Sequence, residues 1–380
     1  MNDVNVASGI RVFTLADFKW MKDIPELSFP CRTYDNCLVE KGGGFLYDRE
    51  GEPIPGSIHH RGQFPRERWA PEELQGLKAE ERDVAGHLDA VVFIPFLLLD
   101  HFGHLLTESV SWLAALTDPF LEAFIHSPTS PTILLGVHAA QDRDKLSALL
   151  SIPSDRIACT TELAGLTRIG RVYLPERTMA NRHYITQEHF PALKRIVDMA
   201  YGLGDGDPVR MVPGAAGMSA GRKVHLSRSM LPPVNRHLLG EKQIEEVLVR
   251  MGWEVVYPER LGLSEQIERL RNASVISGNL GSAFHLLMYL GTDIGSKCII
   301  TLGSPSEILD NHPSNNIFAQ LRLQRAELYH VSAFAEPCIF SKPDQGSRWF
   351  DLEILHPPDR VALLMESLAC RFLLGAGEVL

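Results

Sequence analysis

Three ionisable side chains lie in an apolar segment, the stretch LLLDHFGHLLTESVSWLAAL from Leu97 to Leu116. At about 100° per residue, His101, His104 and Glu108 fall within about 60° of one another, so they share one face of a predicted helix. Glu108 follows His104 by four residues, a spacing at which a carboxylate can hydrogen-bond an imidazole and set its tautomer. Such a pair is suited to taking a proton from a substrate hydroxyl.

Two other interpretations of this face stay open. A zinc site would use both histidines and the glutamate, although zinc-dependent hydrolases place a glutamate between the histidines and no ligand beyond this set is evident here. A structural helix at the wall of a cleft is the second alternative, with the polar side chains satisfied locally.

A glycine turn after a β-branched strand is the strongest phosphate-binding pattern in the chain. The stretch SVISGNLGSAFHLLMYL predicts a strand ending at Gly278, a turn through Gly281 and a helix that begins at Ser282. Backbone N–H groups at the start of a helix lie at the positive end of its dipole and suit a phosphate or diphosphate. Ser282 can cap the helix or donate to the ligand. Two glycines are fewer than a Rossmann or Walker motif requires, so an ordinary turn is the alternative.

Two arginines follow the next predicted strand upstream, in RKVHLSRSMLPPVNRHLLGE. Arg228 leaves the end of that strand, and Arg236 follows a Pro-Pro loop. Guanidinium groups bind phosphate oxygens in a bidentate manner and stay charged at any physiological pH. The pair therefore indicates an anion site, with two solvated loop arginines as the alternative.

These residues have to be positioned by an α/β fold. From Asp89 onward, short apolar runs alternate with amphipathic stretches, which predicts a parallel sheet flanked by helices. A glycine- and proline-rich stretch, GDGDPVRMVPGAAGMSAG, interrupts the alternation and predicts a linker. The alternation resumes at KVHLS and runs to KCIITLG. We therefore expect two α/β sheets, with a ligand between them at the carboxyl ends of their strands.

The predicted domains follow from this pattern. Residues 1–205 form an N-terminal α/β domain, of which 1–80 are irregular, with edge strands and loops. Residues 206–221 form the linker, and residues 222–355 form a C-terminal α/β domain. Residues 356–380 form a last helix, for which two placements stay open: crossing back to the first domain, or closing the C-terminal sheet.

Together these motifs resemble glycosyltransferase family 61, which includes bacterial capsular polysaccharide transferases and eukaryotic O-linked GlcNAc and xylosyl transferases. FGHLLTESVSWLAAL resembles the N-terminal motif of the family, and the segments from KVHLSRS to NASVISGNLGSAFHLLMY resemble its C-terminal block. The resemblance covers about residues 90–300. This chain departs from the family pattern at Gly240, Leu280 and Leu286, where the family often has Asn, His and Asn.

The resemblance implies a GT-B fold of two Rossmann-like domains that face across a cleft, and inversion at the anomeric carbon. It implies that residues 1–205 form the acceptor side and that the C-terminal domain, 222–355, binds the nucleotide-sugar donor. It assigns donor or diphosphate binding to Arg228, Arg236, Glu241, Glu259, Gln266, Gly278, Gly281, Ser282, Ala283 and His285. The arginines and the glycine turn then form one diphosphate site, with His285 one turn into its helix. Because arginine and helix-end N–H groups can neutralise the leaving diphosphate, no metal or other cofactor is expected.

Composition limits the partners and the location. A net charge of −10 argues against broad binding to nucleic acid or to an anionic membrane. The six cysteines show no C-x-x-C spacing, which favours a reducing cytoplasm. The N-terminus lacks the apolar region of a signal peptide, and Asp100, two histidines and Glu108 interrupt the apolar run of residues 90–116, so no transmembrane helix is expected. Peripheral association with the inner membrane stays open.

The sequence thus predicts an inverting glycosyltransferase that moves a sugar from a nucleotide-sugar to a carbohydrate or glycolipid hydroxyl, in capsular or other surface polysaccharide synthesis. Glu108 is the first choice for the base, with His104 as its partner or substitute. Two alternatives come from other classes: a non-catalytic GT-B-like scaffold of a polysaccharide assembly complex, and a metal-dependent hydrolase that uses His101, His104 and Glu108.

Overall fold

In the computed structural model, the described residues are 10–18, 31–58, 84–128, 131–180, 184–203, 221–231, 238–304, 315–334, 341–342, 346–347 and 352–374. The strands in chain order are β1 (Arg11–Thr14), β2 (Cys31–Val39), β3 (Val84–Phe96), β4 (Ile133–His138), β5 (Ile157–Cys159), β6 (Leu166–Pro175), β7 (Met179–Ala180), β8 (Tyr184–Ile185), β9 (Lys223–Leu226), β10 (Leu238–Leu239), β11 (Glu254–Val256), β12 (Val275–Asn279), β13 (Cys298–Gly303), β14 (Glu327–Ser332), β15 (Ser341–Lys342), β16 (Gly346–Ser347) and β17 (Leu352–Glu353). The α-helices are α1 (Phe102–His104), α2 (Val110–Leu113), α3 (Pro119–Ile125), α4 (Arg143–Leu150), α5 (His189–Tyr201), α6 (Glu241–Arg250), α7 (Leu263–Asn272), α8 (Asn315–Leu323) and α9 (Pro358–Leu374).

The chain divides into two compact units. One comprises Lys22–Gly204, and the other comprises Met1–Met21 together with Asp205–Leu380. We refer to them as the N-terminal and the C-terminal unit. None of the described helices combines the length and the apolar character needed to cross a membrane.

The N-terminal unit contains a five-stranded sheet in the order β2-β6-β3-β4-β5. Strands β6, β3, β4 and β5 are parallel, and β2 pairs antiparallel with β6. The second half of β3, Val91–Phe96, is entirely buried, as expected for a central parallel strand covered on both faces. The chain runs from β3 outward to β4 and β5 and then returns to β6 on the other side of β3. The strand order therefore reverses between β3 and β6, the position at which open α/β sheets bind ligands.

The C-terminal unit contains a six-stranded sheet in the order β1-β14-β13-β12-β9-β11. Strands β9, β11, β12, β13 and β14 are parallel, which requires the crossover segments between them. The chain passes from β9 outward to β11 and then crosses to β12 on the other side of β9. The strand order of this sheet thus reverses between β9 and β12.

The C-terminal helix packs within its own unit. In α9, Val361, Met365 and Leu368 are buried in one core cluster with Ile244 and Leu248 of α6. Apolar residues at these positions form one stripe of a 3.6-residue helix, which accounts for the packing. The buried face of α9 thus packs on α6 of the same unit, and a crossing of residues 356–380 back to the first domain stays a prediction.

The predicted class and both α/β sheets are confirmed, while the facing arrangement of the predicted GT-B fold stays a prediction. The strand Arg11–Thr14 pairs antiparallel with β14 of the C-terminal sheet, although the sequence predicts that residues 1–205 belong to the N-terminal domain. The backbone groups of that strand complete an edge of the C-terminal sheet, and such pairing depends on contacts across the whole chain rather than on local pattern. The predicted linker at 206–221 lies outside the described residues except for Gly221.

Candidate functional site

A helical segment, Phe102–Thr117, follows β3 at the point where the N-terminal sheet reverses its strand order. It begins with one α-turn, widens into a π-helical turn over Leu105–Ser109, and ends in a 3₁₀ turn over Ala114–Thr117. His101 precedes it in an extended conformation, and its ring nitrogen accepts a hydrogen bond from the backbone N–H of His104 at 3.4 Å. The helix predicted over 101–117 is confirmed. Its π-turn was not predicted, and such turns occur frequently at functional sites.

The structure brings His104 and Glu108 together, as their spacing predicts. Nδ1 of His104 contacts Oε2 of Glu108, and the two side chains are 31% and 4% exposed. The ring of His101 lies 4.4 Å from the ring of His104, centre to centre. The imidazole is therefore the group that solvent reaches, and the carboxylate lies beneath it. Since an Oε atom of a carboxylate accepts, this contact favours the tautomer with the proton on Nδ1 and leaves Nε2 of a neutral His104 as a proton acceptor.

Two contacts fix this helical segment against the chain that follows β6. Ser111 Oγ donates to the carbonyl of Met179 at 2.7 Å and accepts from its N–H at 2.9 Å. Nε2 of the buried His189 lies 3.0 Å from the carbonyl of Leu106, within the π-turn, and Nδ1 lies 2.8 Å from the hydroxyl of Thr178. His189 thus holds the turn that carries Glu108. Sequence reasoning missed this residue, because no local spacing relates position 189 to position 106.

A metal centre on this face lacks a full set of ligands. In the described parts of the chain, no group of three or more His, Cys, Asp or Glu side chains is arranged to hold a metal ion. The metal-dependent hydrolase was proposed for His101, His104 and Glu108, and these three residues do not form such a group.

The second candidate site lies where β9 and β12 end in the C-terminal sheet. Arg228 follows β9 by two residues, and Gly281 follows β12 by two. A Cβ atom placed on Gly281 would lie 2.6 Å from Nη1 of Arg228. The φ angle of Gly281 is −179°, an extended conformation open to any residue, so a larger residue here would act on the arginine by displacing its guanidinium. The guanidinium and the turn, predicted to converge, are in contact.

A buried carboxylate holds the main chain of Arg228. Its backbone N–H donates to Oε1 of Glu241 at 3.0 Å, and Glu241 is 2% exposed. Burial raises the pKa of Glu241 to about 7, against the lowering effect of the Arg228 hydrogen bond. Its other oxygen, Oε2, has no hydrogen-bond partner among the described residues. Glu241 acts at this site through the backbone that carries the guanidinium.

Glu245, one turn further along α6, organises the same loop. It accepts from the hydroxyl of Ser227 at 2.6 Å and from that of Tyr257 at 3.0 Å. The Ser227 hydroxyl also accepts from the backbone N–H of Ser229 at 3.0 Å. Sequence reasoning missed Glu245, although its position four residues after Glu241 on a predicted helix offered a signal.

Asn279 is the second residue missed at this site. It is the last residue of β12, is 3% exposed, and lies in the stretch SVISGNLGSAFHLLMYL that contains the glycine turn. Neither atom of its carboxamide has a hydrogen-bond partner among the described residues. An unsatisfied buried amide carries a cost of about 1–3 kcal/mol unless a ligand or water completes it. Its place between Gly278 and Gly281 makes it a candidate ligand contact.

The helical segment after the Gly281 turn lacks the Ser282 cap that the sequence allowed. It is a 3₁₀ segment, Ser282–Ser296, interrupted at Gly291, and its N-cap is Gly281 without a side-chain cap. The hydroxyl of the exposed Ser282 is therefore not used as a cap. Ala283 is half-buried in the first turn. The backbone N–H groups of Ser282 and Ala283 are those at the start of this segment, where an anion would be stabilised.

The remaining predicted residues have other contacts. Nδ1 of His285 donates to Oε1 of Gln320 at 3.0 Å. Gln266 donates to the carbonyls of Pro258 and Leu261 at 2.8 and 3.1 Å, which holds the loop that carries the exposed Glu259.

Gly278 allows close packing of two strands, since a Cβ there would lie 2.6 Å from the carbonyl oxygen of Leu226. Arg236 lies outside the described residues.

Both candidate sites fall within one family match. The family model described as Glycosyltransferase 61 matches residues 102–298, just over half of the 380 residues. The matched range begins at the helical segment with His104 and Glu108 and extends to the start of β13, so it includes Arg228 and Gly281. No curated protein matches the chain significantly. The chain belongs to glycosyltransferase family 61.

Proposed function

We propose that this family member is an inverting glycosyltransferase that moves a sugar from a nucleotide-sugar donor to a carbohydrate or glycolipid hydroxyl. The family indicates the transferase activity. Inversion, the donor class, the GT-B arrangement of the two units, and a role in capsular or other surface polysaccharide synthesis are parts of the proposal.

The observation that carries the donor site is the contact of Arg228 with the Gly281 turn. The guanidinium of Arg228 lies next to the Gly281 turn at the start of a helical segment, and both occur where the strand order of a parallel sheet reverses. Each of these features favours an anionic ligand. Together they suit the diphosphate of a nucleotide-sugar, whose negative charge grows as the glycosidic bond breaks.

On the acceptor side, the exposures of the His104 and Glu108 pair support a division of roles. Glu108 is 4% exposed, so we assign it to orienting the imidazole and stabilising its protonated form. His104 takes the proton of the acceptor hydroxyl at Nε2 as that oxygen attacks the anomeric carbon. The bond from the anomeric carbon to the diphosphate breaks, and the diphosphate leaves with the electron pair. This revises the sequence-based preference for Glu108 as the base, and His101 lies beside His104 as a further polar group.

We propose that the reaction needs no metal. The positive charge of Arg228 and the N–H groups after Gly281 take the place that a divalent cation holds in other transferases. Activity that is unchanged in excess EDTA supports this part of the proposal, and activity that only Mg²⁺ or Mn²⁺ restores contradicts it.

Nucleotide binding tests the donor site directly. UDP, GDP, CMP and their sugar conjugates are compared by thermal shift and calorimetry, since a ligand that binds only the folded state raises the unfolding temperature. The ligand found in this way should lose at least tenfold in affinity in Arg228→Ala, about 1.4 kcal/mol. Arg250→Ala is the matched control, because Arg250 is exposed at the opposite end of α6 from Glu241.

Equal affinity of Arg228→Ala and wild type contradicts the diphosphate site. Nucleotide binding without any sugar transfer or donor hydrolysis favours the non-catalytic scaffold instead.

A further inference from the structure

Three aromatic rings meet on the surface of the N-terminal unit. The ring of Tyr173, on β6, lies 5.4 Å from Phe120 and 5.0 Å from Phe124, centre to centre. The two phenylalanines are one turn apart on α3, and Phe120 is 57% exposed. We call these three residues the aromatic surface. Water-exposed apolar groups of this size that cluster commonly mark a binding site.

Among the described residues, two charged groups on the strands next to the aromatic surface are paired with each other. Nε of Arg171, two residues before Tyr173 on β6, donates to Oδ1 of Asp35 on β2 at 2.8 Å. Both side chains are about half exposed, at 52% and 57%. Nucleic acid or an anionic membrane would require cations that are not already neutralised. The balance of charge therefore favours a ligand without net charge.

A neutral sugar matches both features of this surface. The C–H groups on the face of a sugar ring are apolar and pack against an aromatic ring, while the hydroxyls around its edge need donors and acceptors. Phe120 supplies the ring face, and Arg171 with Asp35 supplies the polar groups. We propose that the aromatic surface is a subsite for a neutral oligosaccharide, the acceptor chain of the transfer reaction. The role of this oligosaccharide as acceptor rests on the proposed function, whereas its binding to the aromatic surface does not.

Glycan binding of the full chain without nucleotide tests the subsite. Wild type, Phe120→Ala and Tyr201→Ala are applied to an array of neutral gluco-, galacto-, manno-, xylo- and N-acetylglucosamine oligomers of graded length. Tyr201 is the matched control because it is an aromatic residue of similar exposure, 45%, on α5. We expect Phe120→Ala to weaken binding of the bound oligomers by about tenfold, with Tyr201→Ala equal to wild type.

Three results would overturn the proposed glycan subsite, and each can be told apart from a failure of the donor site. No binding of any neutral oligomer, or equal losses in the two variants, overturns the subsite. A dimer of wild type that Phe120→Ala converts to a monomer overturns it as well and assigns the surface to a second copy of the chain. Because no nucleotide is present, these outcomes leave the donor site untouched, and loss of nucleotide binding in Arg228→Ala leaves the glycan result untouched. Both variants should unfold within a few degrees of the wild-type temperature, since both side chains are about half exposed.

Discussion

The guanidinium of Arg228 lies so close to Gly281 that a single added carbon atom would come within 2.6 Å of its Nη1. The arginine follows β9 and the glycine follows β12, two neighbouring parallel strands whose pairing aligns Gly278 with Leu226. The register of the sheet thus places the side chain of Arg228 next to the turn that contains Gly281. An alanine at 281 would change the space available to the arginine without changing the backbone conformation.

Gly281→Ala should therefore reduce nucleotide affinity while the fold remains intact. The new methyl group displaces the guanidinium, and the extended φ of −179° accepts alanine without strain. We expect a loss of at least tenfold in affinity, about 1.4 kcal/mol, measured by calorimetry with the tightest nucleotide. Gly262→Ala is the control, because a Cβ at Gly262 meets nothing within 4 Å. Equal affinity of the two variants would show that this turn does not contact the ligand.

Glu241 should make the stability of the protein depend on pH. Its pKa is raised from an ordinary value of 4.5 to about 7, so between these values the native state keeps a proton that the unfolded state releases. The free energy of unfolding then falls as the pH rises through this range, by about 3 kcal/mol in total for this group. Glu241→Gln keeps an oxygen that accepts from the Arg228 N–H and cannot ionise.

Denaturant unfolding at pH 5 and pH 8 measures this contribution. The decrease between the two pH values should be smaller in Glu241→Gln than in wild type, while Glu259→Gln, an exposed carboxylate on the next loop, should behave as wild type. Identical pH dependence in all three proteins would contradict the raised pKa.

The fold was accessible from the sequence because its signals are local. Alternating apolar runs predict both sheets, and the 3.6-residue spacing predicts the helix over 101–117 together with the contact of His104 and Glu108. The antiparallel pairing of Arg11–Thr14 with β14 was not accessible, since more than 300 residues separate the two strands. Edge pairing of this kind depends on which backbone groups the rest of the fold leaves open.

The candidate sites likewise combine residues that the sequence indicated with residues that only the structure singles out. An arginine after a strand and a glycine turn before a helix can both be recognised in a sequence. Arg228 and Gly281 therefore indicated an anion site. Asn279 lay within the same motif, but only its burial and its unpaired carboxamide single it out. The exposures of His104 and Glu108 likewise had no sequence signal, and they are the reason for exchanging the roles of the two residues.

His189 should contribute to stability by its two hydrogen bonds. It is fully buried between Thr178 and the carbonyl of Leu106, so truncation leaves both partners unsatisfied. We expect His189→Ala to lower the free energy of unfolding by about 2–4 kcal/mol, from the lost bonds and the cavity. His126→Ala removes an exposed histidine at the end of α3 and should change stability by less than about 0.5 kcal/mol. A His189→Ala variant as stable as wild type would contradict the proposed bracing of the π-turn.

The pair of His104 and Glu108 offers the decisive test of the base. With the donor found by nucleotide binding, His104→Gln should lower kcat by about 10²–10⁴-fold, the range for a general base. Glu108→Gln should lower it less, because the amide oxygen can still accept from Nδ1–H and orient the ring. His87→Gln, an exposed histidine near the start of β3, is the control and should retain wild-type kcat. If Glu108→Gln abolishes turnover while His104→Gln retains it, Glu108 is the base and the assignment from exposure is wrong.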